Sequence, residues 1–277
     1  MNYLGYWKIQ RGPFENTRDP RFFYRGKDHA EGLERMLYLV RDGNMGFGVV
    51  TGEIGAGKTL TRTVLAAELP AARFATVVLE NANLPFPFLL MEIITGIRND
   101  RADGRSPELY YLLAEFRELL EERIIKRSRS LVLIIDEAQQ LSDETLVELK
   151  NLTNISGPDR NYTSVILFGQ PELRSRVRSL PQIDTRVSLR YHLGYLSSEE
   201  IAPYLAHRMR VAGHPSGTVF AAEAVDMIHR ETGGIPREVN RIAKLALDRA
   251  FALERPQVTG PVVGSIIHDV YKQDGYV

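Results

Sequence analysis

The sequence predicts an α/β fold in which a parallel sheet is flanked by helices, with a smaller helical region at the C-terminal end. Two observations support this fold class. Short apolar, β-branched runs alternate with helix-like stretches between residues 46 and 179, and helical patterns dominate after residue 195. Strands that are this apolar and are separated by helices are typical of a parallel sheet buried on both faces. The length of 277 residues is enough for one large domain, or for a core domain with a small second one.

The individual elements follow from local patterns along the chain. Residues 1–27 are rich in proline, arginine and aromatic side chains, and because X-Pro steps favour extended chain we expect an arm that lies over the domain. Apolar side chains at helical spacing predict a helix over residues 28–40. The predicted strands are 46–51, 74–79, 130–136 and 163–169. The predicted helices among them are 58–69, 86–97, 107–127, 142–153 and 171–179.

A change of character near residue 195 predicts a helical lid. Ser197 and Glu200 resemble a capping box ahead of a helix that runs from Ile201 to Val211. Further helices are predicted over residues 219–231, 236–254 and 259–273. We therefore divide the chain into three parts, which are an N-terminal arm at 1–27, an α/β core at 28–194 and a helical lid at 195–277.

The composition excludes several classes of function. Cysteine is absent, so the chain has no disulfide framework, no thiolate metal site and no cysteine nucleophile. Basic and acidic residues number 35 each, so the overall charge does not indicate a nucleic-acid partner. The N-terminus lacks the pattern of a signal peptide, and the longest apolar run, Leu131 to Ile135, is far too short to span a bilayer. We expect a cytoplasmic protein without direct membrane insertion.

The segment between the first predicted strand and the next helix matches the phosphate-binding pattern G-x-x-x-x-G-K-[ST]. It consists of Gly52, Glu53, Ile54, Gly55, Ala56, Gly57, Lys58 and Thr59. Glycines let backbone N–H groups turn toward phosphate oxygens, and the positive end of the new helix adds to the attraction. In this pattern the lysine contacts the β- and γ-phosphates and the Thr59 hydroxyl binds Mg²⁺. The alternative interpretation is a glycine-rich turn before an ordinary helix.

Two carboxylates follow the apolar run of the predicted strand 130–136, namely Asp136 and Glu137. Ligands of an open parallel sheet bind beyond the carboxyl ends of its strands, so Asp136 is expected beside the phosphate loop as a ligand of Mg²⁺, directly or through water. Glu137 is expected to orient and deprotonate the water that attacks the γ-phosphate. A solvated strand end is the alternative. Together with the phosphate loop, these carboxylates predict an enzyme that binds ATP and Mg²⁺ and hydrolyses the nucleotide.

These motifs together resemble the AAA+ ATPases, and specifically the ExeA/GspA family of secretion-associated ATPases. The stretches that carry the likeness are Pro13-Phe14, Asp19 to Tyr24, Val50 to Glu53, Asp136 to Gln139, Gly169 to Leu173, and Gly233 to Arg237 with Asn240. The resemblance spans nearly the whole chain and is more specific than the phosphate loop alone. It implies an AAA+ P-loop NTPase core with a small C-terminal helical lid, and it implies that the region of His29 lies near the adenine.

The resemblance also assigns three further roles. Gln170 matches the polar residue that senses the γ-phosphate in AAA+ proteins, although a turn-forming glutamine before Pro171 is an alternative. Arg237 matches the lid arginine that contacts the γ-phosphate, with a surface arginine as the alternative. Arg186 is the first candidate and Arg190 the second for an arginine finger that acts on a neighbouring subunit's nucleotide, unless both are solvated arginines before a final strand. A finger implies that the working form is a ring or a helical filament.

Two cellular roles stay open at this level. In the first, the chain is a motor or assembly ATPase of an envelope secretion or pilus complex, which the arm stretch Asp19 to Tyr24 favours. In the second, it is a regulator of transposition, similar to TnsC/MuB-type ATPases, that assembles on duplex DNA and recruits or activates a transposase. The second role is favoured by the end of the sequence at Val277, without the membrane span and peptidoglycan-binding module that GspA-type proteins often carry.

A cluster of arginines also favours the second role, although a subunit interface is an alternative explanation of the cluster. Five arginines fall within seventeen positions of each other, and these are Arg174, Arg176, Arg178, Arg186 and Arg190. Such a cluster suits the phosphate backbone of DNA, because backbone contacts come mainly from arginine and lysine and need no sequence recognition. It equally suits the subunit interface that a finger requires.

Overall fold

Five parallel strands form the sheet of this protein. The computed structural model describes residues 2–43, 46–99, 107–155 and 161–273. The strands are β1 (Phe47–Gly52), β2 (Phe74–Leu79), β3 (Ser130–Ile135), β4 (Thr163–Gly169) and β5 (Leu189–Leu193). Within the described residues the strand order is β2-β3-β4-β1-β5, and every pairing is parallel.

Strand β4 lies between β3 and β1, and this order determines which loops are neighbours. Val50 of β1 pairs with Phe168 of β4, and Ile134 of β3 pairs with Ile166 of β4. Because the strands all point the same way, the segments that follow β3, β4 and β1 leave the sheet at the same end. We call this the carboxyl end of the sheet, and the opposite end, where the strands begin, the amino end.

Helices flank the sheet, and the predicted α/β fold with a parallel sheet is confirmed. The α-helices are α1 (Tyr3–Tyr6), α2 (Lys27–Asp42), α3 (Lys58–Glu68), α4 (Phe86–Arg98), α5 (Leu109–Leu119), α6 (Asp143–Thr153), α7 (Pro171–Ser179), α8 (Pro181–Asp184), α9 (Ser198–Val211), α10 (Ala222–Thr232), α11 (Pro236–Ala252) and α12 (Gly260–Gln273). Every residue from Leu131 to Ile135 is 0% exposed, which explains why this strand is apolar at each position. In the part of the chain that the structure describes, no helix is both long enough and apolar enough to cross a membrane.

The predicted helix 107–127 is not a single α-helix. Its first part is α5, and the chain then continues as a π-helix over Leu120–Ile125. A π-helix is defined by its i→i+5 hydrogen bonds and occurs mostly as a single turn within an α-helix. Apolar spacing therefore predicted one continuous helix here, and it could not separate the two forms.

The predicted strand 130–136 ends one residue earlier, at Ile135. Glu137 has a left-handed backbone conformation (φ 51°, ψ 35°), which an extended strand cannot contain. Asp136 nevertheless donates its N–H to the carbonyl of Leu79 at 2.9 Å. Asp136 is therefore attached to the carboxyl end of the sheet, although it lies outside the strand.

The chain folds as two compact units. The first comprises Met1–Ala30, Gly55–Leu60 and Gly194–Val277, and the second comprises Glu31–Ile54 and Thr61–Leu193. The sheet lies in the second unit. The core of the first unit combines arm side chains such as Trp7 and Phe14 with lid side chains such as Met209 and Val239. The arm thus packs with the helices that follow residue 194. The boundaries at residues 27 and 194 between arm, core and lid stay a prediction.

A buried arginine holds the arm within the first unit. Arg208 of α9 is 3% exposed, and its guanidinium donates to the carbonyl of Pro13 at 2.7 Å and to that of Glu15 at 2.6 Å. The same group lies 4.9 Å from the ring centroid of Phe22. An extended arm has no internal hydrogen-bond partners for its carbonyls, so this side chain satisfies groups that would otherwise be buried unpaired.

Arg208→Met tests this anchor. The substitution keeps much of the side-chain volume but leaves the carbonyls of Pro13 and Glu15 without their donor, at a cost of about 1–3 kcal/mol per buried group. We expect a lower free energy of unfolding in urea and faster proteolytic cleavage within residues 8–18. Arg210→Met, on the exposed face of the same helix, is the matched control. Equal cleavage of the arm in the two variants would contradict the anchoring role.

Candidate nucleotide-binding site

The phosphate-loop segment joins β1 to α3, which begins at Lys58. Gly55 and Gly57 have φ values of +86° and +92°, a left-handed region that glycine adopts without steric cost. A Cβ atom on Gly57 would also lie only 3.2 Å from Nε2 of His29. Lys58 is 8% exposed and Thr59 is partly exposed. The loop therefore has the left-handed glycines and the helix start that a backbone nest for an anion requires.

The other residues of the loop differ in exposure. Gly52 ends β1 and is buried, whereas Glu53 and Ile54 are exposed. Ala56 is buried, and its carbonyl accepts a 2.7 Å hydrogen bond from Nε2 of His29. A carbonyl can only accept, so Nε2 carries the proton. Buried His29 thus fixes the loop backbone at Ala56, a contact that the sequence did not indicate.

An apolar cavity lies beside Gly57 within the first unit. Three consecutive aromatic residues of the arm, Phe22, Phe23 and Tyr24, line it together with Leu60 of α3. The surroundings suit a flat, apolar ring more than a charged group, since ligand pockets bind such rings mainly through apolar and aromatic side chains.

The first turn of α11 packs on the phosphate loop. The N–H of Arg237 donates to the carbonyl of Gly55 at 3.4 Å. A Cβ atom on Gly55 would lie 2.9 Å from Cγ2 of Ile235 and 3.1 Å from Cβ of Arg237. Pro236 starts this helix, which its fixed φ favours. The structure therefore brings Arg237 next to the loop, with its side chain exposed and without a hydrogen-bond or ionic partner among the described residues.

The two predicted carboxylates lie together after β3. Asp136 is 5% exposed, and its Oδ2 lies 3.4 Å from Nε of Arg62. Arg62 is itself 2% exposed and also donates to Glu80 at 3.0 Å. The N–H of Glu137 donates to Oδ1 of Asp136 at 3.1 Å. Arg62 was not among the predicted site residues, although its position four residues after Lys58 places both side chains on one face of α3.

The oxygen donors near the phosphate loop and after β3 fit Mg²⁺ better than they fit a metal ion whose ligands all come from the protein. Among the described residues, no group of three His, Asp or Glu side chains is arranged to bind a metal ion. Mg²⁺ commonly takes one or two protein oxygens and completes its octahedron with water and phosphate oxygens. A buried carboxylate at Asp136 and a hydroxyl at Thr59 are donors of this kind.

A chain of hydrogen bonds connects Glu137 to the end of β4. Nε2 of Gln139 donates to Oε2 of Glu137 at 2.6 Å, and Oε1 of Gln139 accepts the N–H of Gln170 at 3.1 Å. Arg176 of α7 donates to the carbonyl of Gln139 at 2.8 Å and to that of Leu141 at 2.7 Å. The structure thus brings Glu137 and Gln170 together through Gln139, a residue to which the sequence analysis gave no role.

Gln170 lies at the N-terminus of α7, directly after β4. Its own side chain makes no capping hydrogen bond, and Pro171 occupies the first helical position. Because β4 lies between β3 and β1, Gln170 is between the carboxylates and the start of the phosphate loop at the carboxyl end of the sheet.

The two candidate finger arginines differ in their contacts. Arg190 donates to the carbonyl of Asp184 at 2.7 Å and pairs with its carboxylate at 2.9 Å. The Arg186 side chain is exposed and has no hydrogen-bond or ionic partner among the described residues. It precedes β5 and so lies at the amino end of the sheet, about 15 Å or more from the carboxyl end, since each strand residue rises about 3.3 Å. The structure does not bring Arg186 to the other predicted site residues of its sheet.

Comparison with known proteins agrees with these features. Residues 41–177 match the family described as an AAA domain. A curated relative, general secretion pathway protein A of Aeromonas hydrophila, is 34% identical over 252 residues, which is 90% of this chain and 45% of the relative. The chain therefore spans about half the length of that relative.

Solved structures with less than 25% identity show the same fold. The ORC2 protein of Aeropyrum pernix, in ADPNP–ADP complexes, superposes with a TM-score of 0.68 at 18% identity. The superposition covers 94% of this chain and 71% of the ORC2 chain. Cdc6p of Pyrobaculum aerophilum has a TM-score of 0.64 at 17% identity, over 90% of this chain and 68% of its own. The RuvB Holliday junction branch migration motor of Thermotoga maritima has a TM-score of 0.59 at 16% identity, over 88% of this chain and 69% of its own. The fold, the AAA match and the curated relative together establish that the chain belongs to the AAA+ family of P-loop ATPases and is related to general secretion pathway protein A.

Proposed function

We propose that this chain binds ATP with Mg²⁺ and hydrolyses it to ADP and phosphate, as an oligomeric switch or motor whose subunits complete one another's sites. The observation that carries the proposal is the convergence of polar groups at the carboxyl end of the sheet. Asp136 and Glu137 follow β3, Gln170 follows β4, and the phosphate loop follows β1. Open parallel sheets bind their ligands at this end.

Each of these residues has a defined chemical role in the proposal. Lys58 contacts the β- and γ-phosphates, while Thr59 and Asp136 hold Mg²⁺, which supplies charge neutralisation when bound. Glu137 accepts a proton from water as the water oxygen bonds to the γ-phosphorus, and the bond to the bridging oxygen breaks to release ADP. The side-chain amide of Gln170 orients that water.

Two features within the first unit are suited to binding a nucleotide. The apolar cavity lined by Phe22, Phe23 and Tyr24 holds the adenine, since it adjoins the phosphate loop at Gly57. Arg237 contacts the γ-phosphate, supported by the packing of its helix turn against Gly55. The arm and the lid therefore both sense whether nucleotide is bound.

Arg186 is the arginine finger of this proposal. An exposed guanidinium without an internal partner is available to a second subunit, whereas Arg190 is held by Asp184. Its position at the amino end of the sheet excludes action at the carboxyl end of the same sheet. A second copy of the chain is therefore the partner that the site requires, in a ring or a helical filament.

We assign this cycle to an envelope secretion or pilus assembly complex that the protein serves from the cytoplasm. The relation to general secretion pathway protein A over 90% of the chain supports the assignment. The alternative, duplex DNA with a transposase, depends on the arginine cluster, and two of its members, Arg176 and Arg190, are engaged within the chain. Gel shifts with duplex DNA discriminate between these roles, because binding that needs an ATP analogue and weakens steeply with salt would favour the transposition role.

Lys58→Ala tests nucleotide binding. The wild-type protein is expected to gain about 2.7 kcal/mol of stability when Mg²⁺-ATP reaches 100 times its dissociation constant. Removing the buried lysine removes its phosphate contact, so the shift of Tm on adding nucleotide should shrink or vanish. Lys126→Ala, at an exposed position, should keep the full shift. An unchanged shift of Tm in Lys58→Ala would contradict the assignment of the phosphate loop as the nucleotide-binding segment.

Glu137→Gln tests hydrolysis. The amide has nearly the same shape but cannot accept the proton, so turnover should fall by about 10²–10⁴-fold while nucleotide binding persists. Phosphate release and binding of a fluorescent ATP analogue measure the two properties. Glu144→Gln, at an exposed position of α6, is the control and should retain turnover. Wild-type turnover in Glu137→Gln would mean that another group is the base.

Arg186→Ala tests action between subunits. Loss of a finger lowers turnover by up to about 10³–10⁵-fold. A mixture of Arg186→Ala with Glu137→Gln subunits should regain part of the activity, because some sites then combine an intact base with an intact finger. Arg127→Ala, also exposed but outside the arginine cluster, should leave turnover unchanged. If mixing restores nothing, Arg186 does not act on a neighbouring site.

A further inference from the structure

The side chain of Gln139 uses both ends of its amide. Its NH₂ group donates to the Glu137 carboxylate at 2.6 Å, and its oxygen accepts the N–H of Gln170 at 3.1 Å. An amide with a donor bond at one end and an acceptor bond at the other has one orientation that satisfies both. The orientation of the Glu137 carboxylate is therefore tied to the backbone at the end of β4.

The backbone on the Glu137 side of this link is held rigidly. Gln139 belongs to a 3₁₀ turn, Ala138–Gln140, that follows the left-handed Glu137. Arg176 donates to the carbonyl of Gln139 and also pairs with Asp143. A non-glycine residue in the left-handed region persists only where its surroundings determine it, and such strain is concentrated at functional sites.

The space for the amide depends on a glycine at the end of β4. A Cβ atom on Gly169 would lie 2.9 Å from Oε1 of Gln139 and 2.7 Å from Cδ2 of Leu173. Both distances are shorter than a Cβ atom tolerates, so a larger residue here would displace the amide. Gly169 and Gln139 are thus complementary, although they belong to different strand ends.

We propose that Gln139 is a positioning residue that regulates hydrolysis by coupling the orientation of Glu137 to the position of Gln170. The inference rests on the proposed function, in which Glu137 is the base and Gln170 senses the γ-phosphate. A displacement of the Gln170 backbone changes the acceptor geometry at Gln139, and the amide transmits that change to the carboxylate. The base is then aligned only when the end of β4 is in its nucleotide-bound position.

Two substitutions at Gln139 separate the two hydrogen bonds. Gln139→Met keeps the length of the side chain and removes both bonds. Gln139→Glu keeps an acceptor for the Gln170 N–H and loses the donor to Glu137. We expect each variant to lower kcat about 10²-fold, the scale of a misplaced catalytic group, with the KM for ATP changed less than twofold. Gln140→Met, at the exposed neighbouring position, should retain the wild-type kcat.

Hydrogen–deuterium exchange at the Gln170 amide tests the coupling without any turnover. Exchange should accelerate in Gln139→Met, which lacks the acceptor, and stay slow in Gln139→Glu. It should also accelerate in Glu137→Ala, because the Gln139 side chain loses the partner that orients it. Faster exchange at Gln170 in Glu137→Ala is specific to the hydrogen-bond link through Gln139. If Gln139 only supported its local turn, a change at Glu137 would not alter exchange at Gln170.

The outcomes distinguish this inference from the proposed function. If the wild-type protein hydrolyses ATP and either Gln139 variant keeps its kcat, the coupling is wrong. If the wild-type protein does not hydrolyse ATP, the proposed function fails, and the coupling is then decided by exchange alone. Unchanged exchange at Gln170 in Glu137→Ala would overturn it in that case as well.

Discussion

The order of β3, β4 and β1 within a parallel sheet is the constraint on which the candidate site depends. Strand β3 pairs in register with β2 on one side and with β4 on the other along its whole apolar run. The register therefore fixes where the run ends, and Asp136 and Glu137 follow at that point. The pairing of β3 thus determines the position of the carboxylates at the carboxyl end of the sheet.

That position has an electrostatic cost, which Arg62 offsets. Asp136 and Arg62 are almost fully buried, and a charge in such surroundings is strongly unfavourable without a partner. Breaking a buried pair of this kind costs about 3–5 kcal/mol, because the remaining charge is left uncompensated. Strand β3, helix α3 and Glu80 after β2 are therefore held together by ionic contacts at the end of the sheet where the proposed chemistry takes place.

Local patterns predicted the fold well and the connections within the site poorly. Apolar runs and helical spacing depend on neighbours in sequence, so the four strands assigned from the sequence are confirmed. Strand β4 lies between β3 and β1 and so brings together segments that are far apart in the chain. No local sequence pattern predicts this strand order. The same reason explains why the contacts of Arg62, Gln139 and Arg176 were missed, since each joins separate elements. The roles of the site residues stay predictions, although the structure places several of them side by side.

The separation of Arg186 from the carboxyl end of its own sheet would give a head-to-tail assembly built on the proposed contact a direction. In such an assembly each copy would offer its arginine at one end of its strands and receive one at the other, so the contact would be heterologous. In an open assembly, the copy at one end would receive no arginine from a neighbour. The ATP bound to that copy would therefore be hydrolysed most slowly. Short assemblies would therefore carry a larger share of slow sites than long ones, so their specific activity would rise with protein concentration.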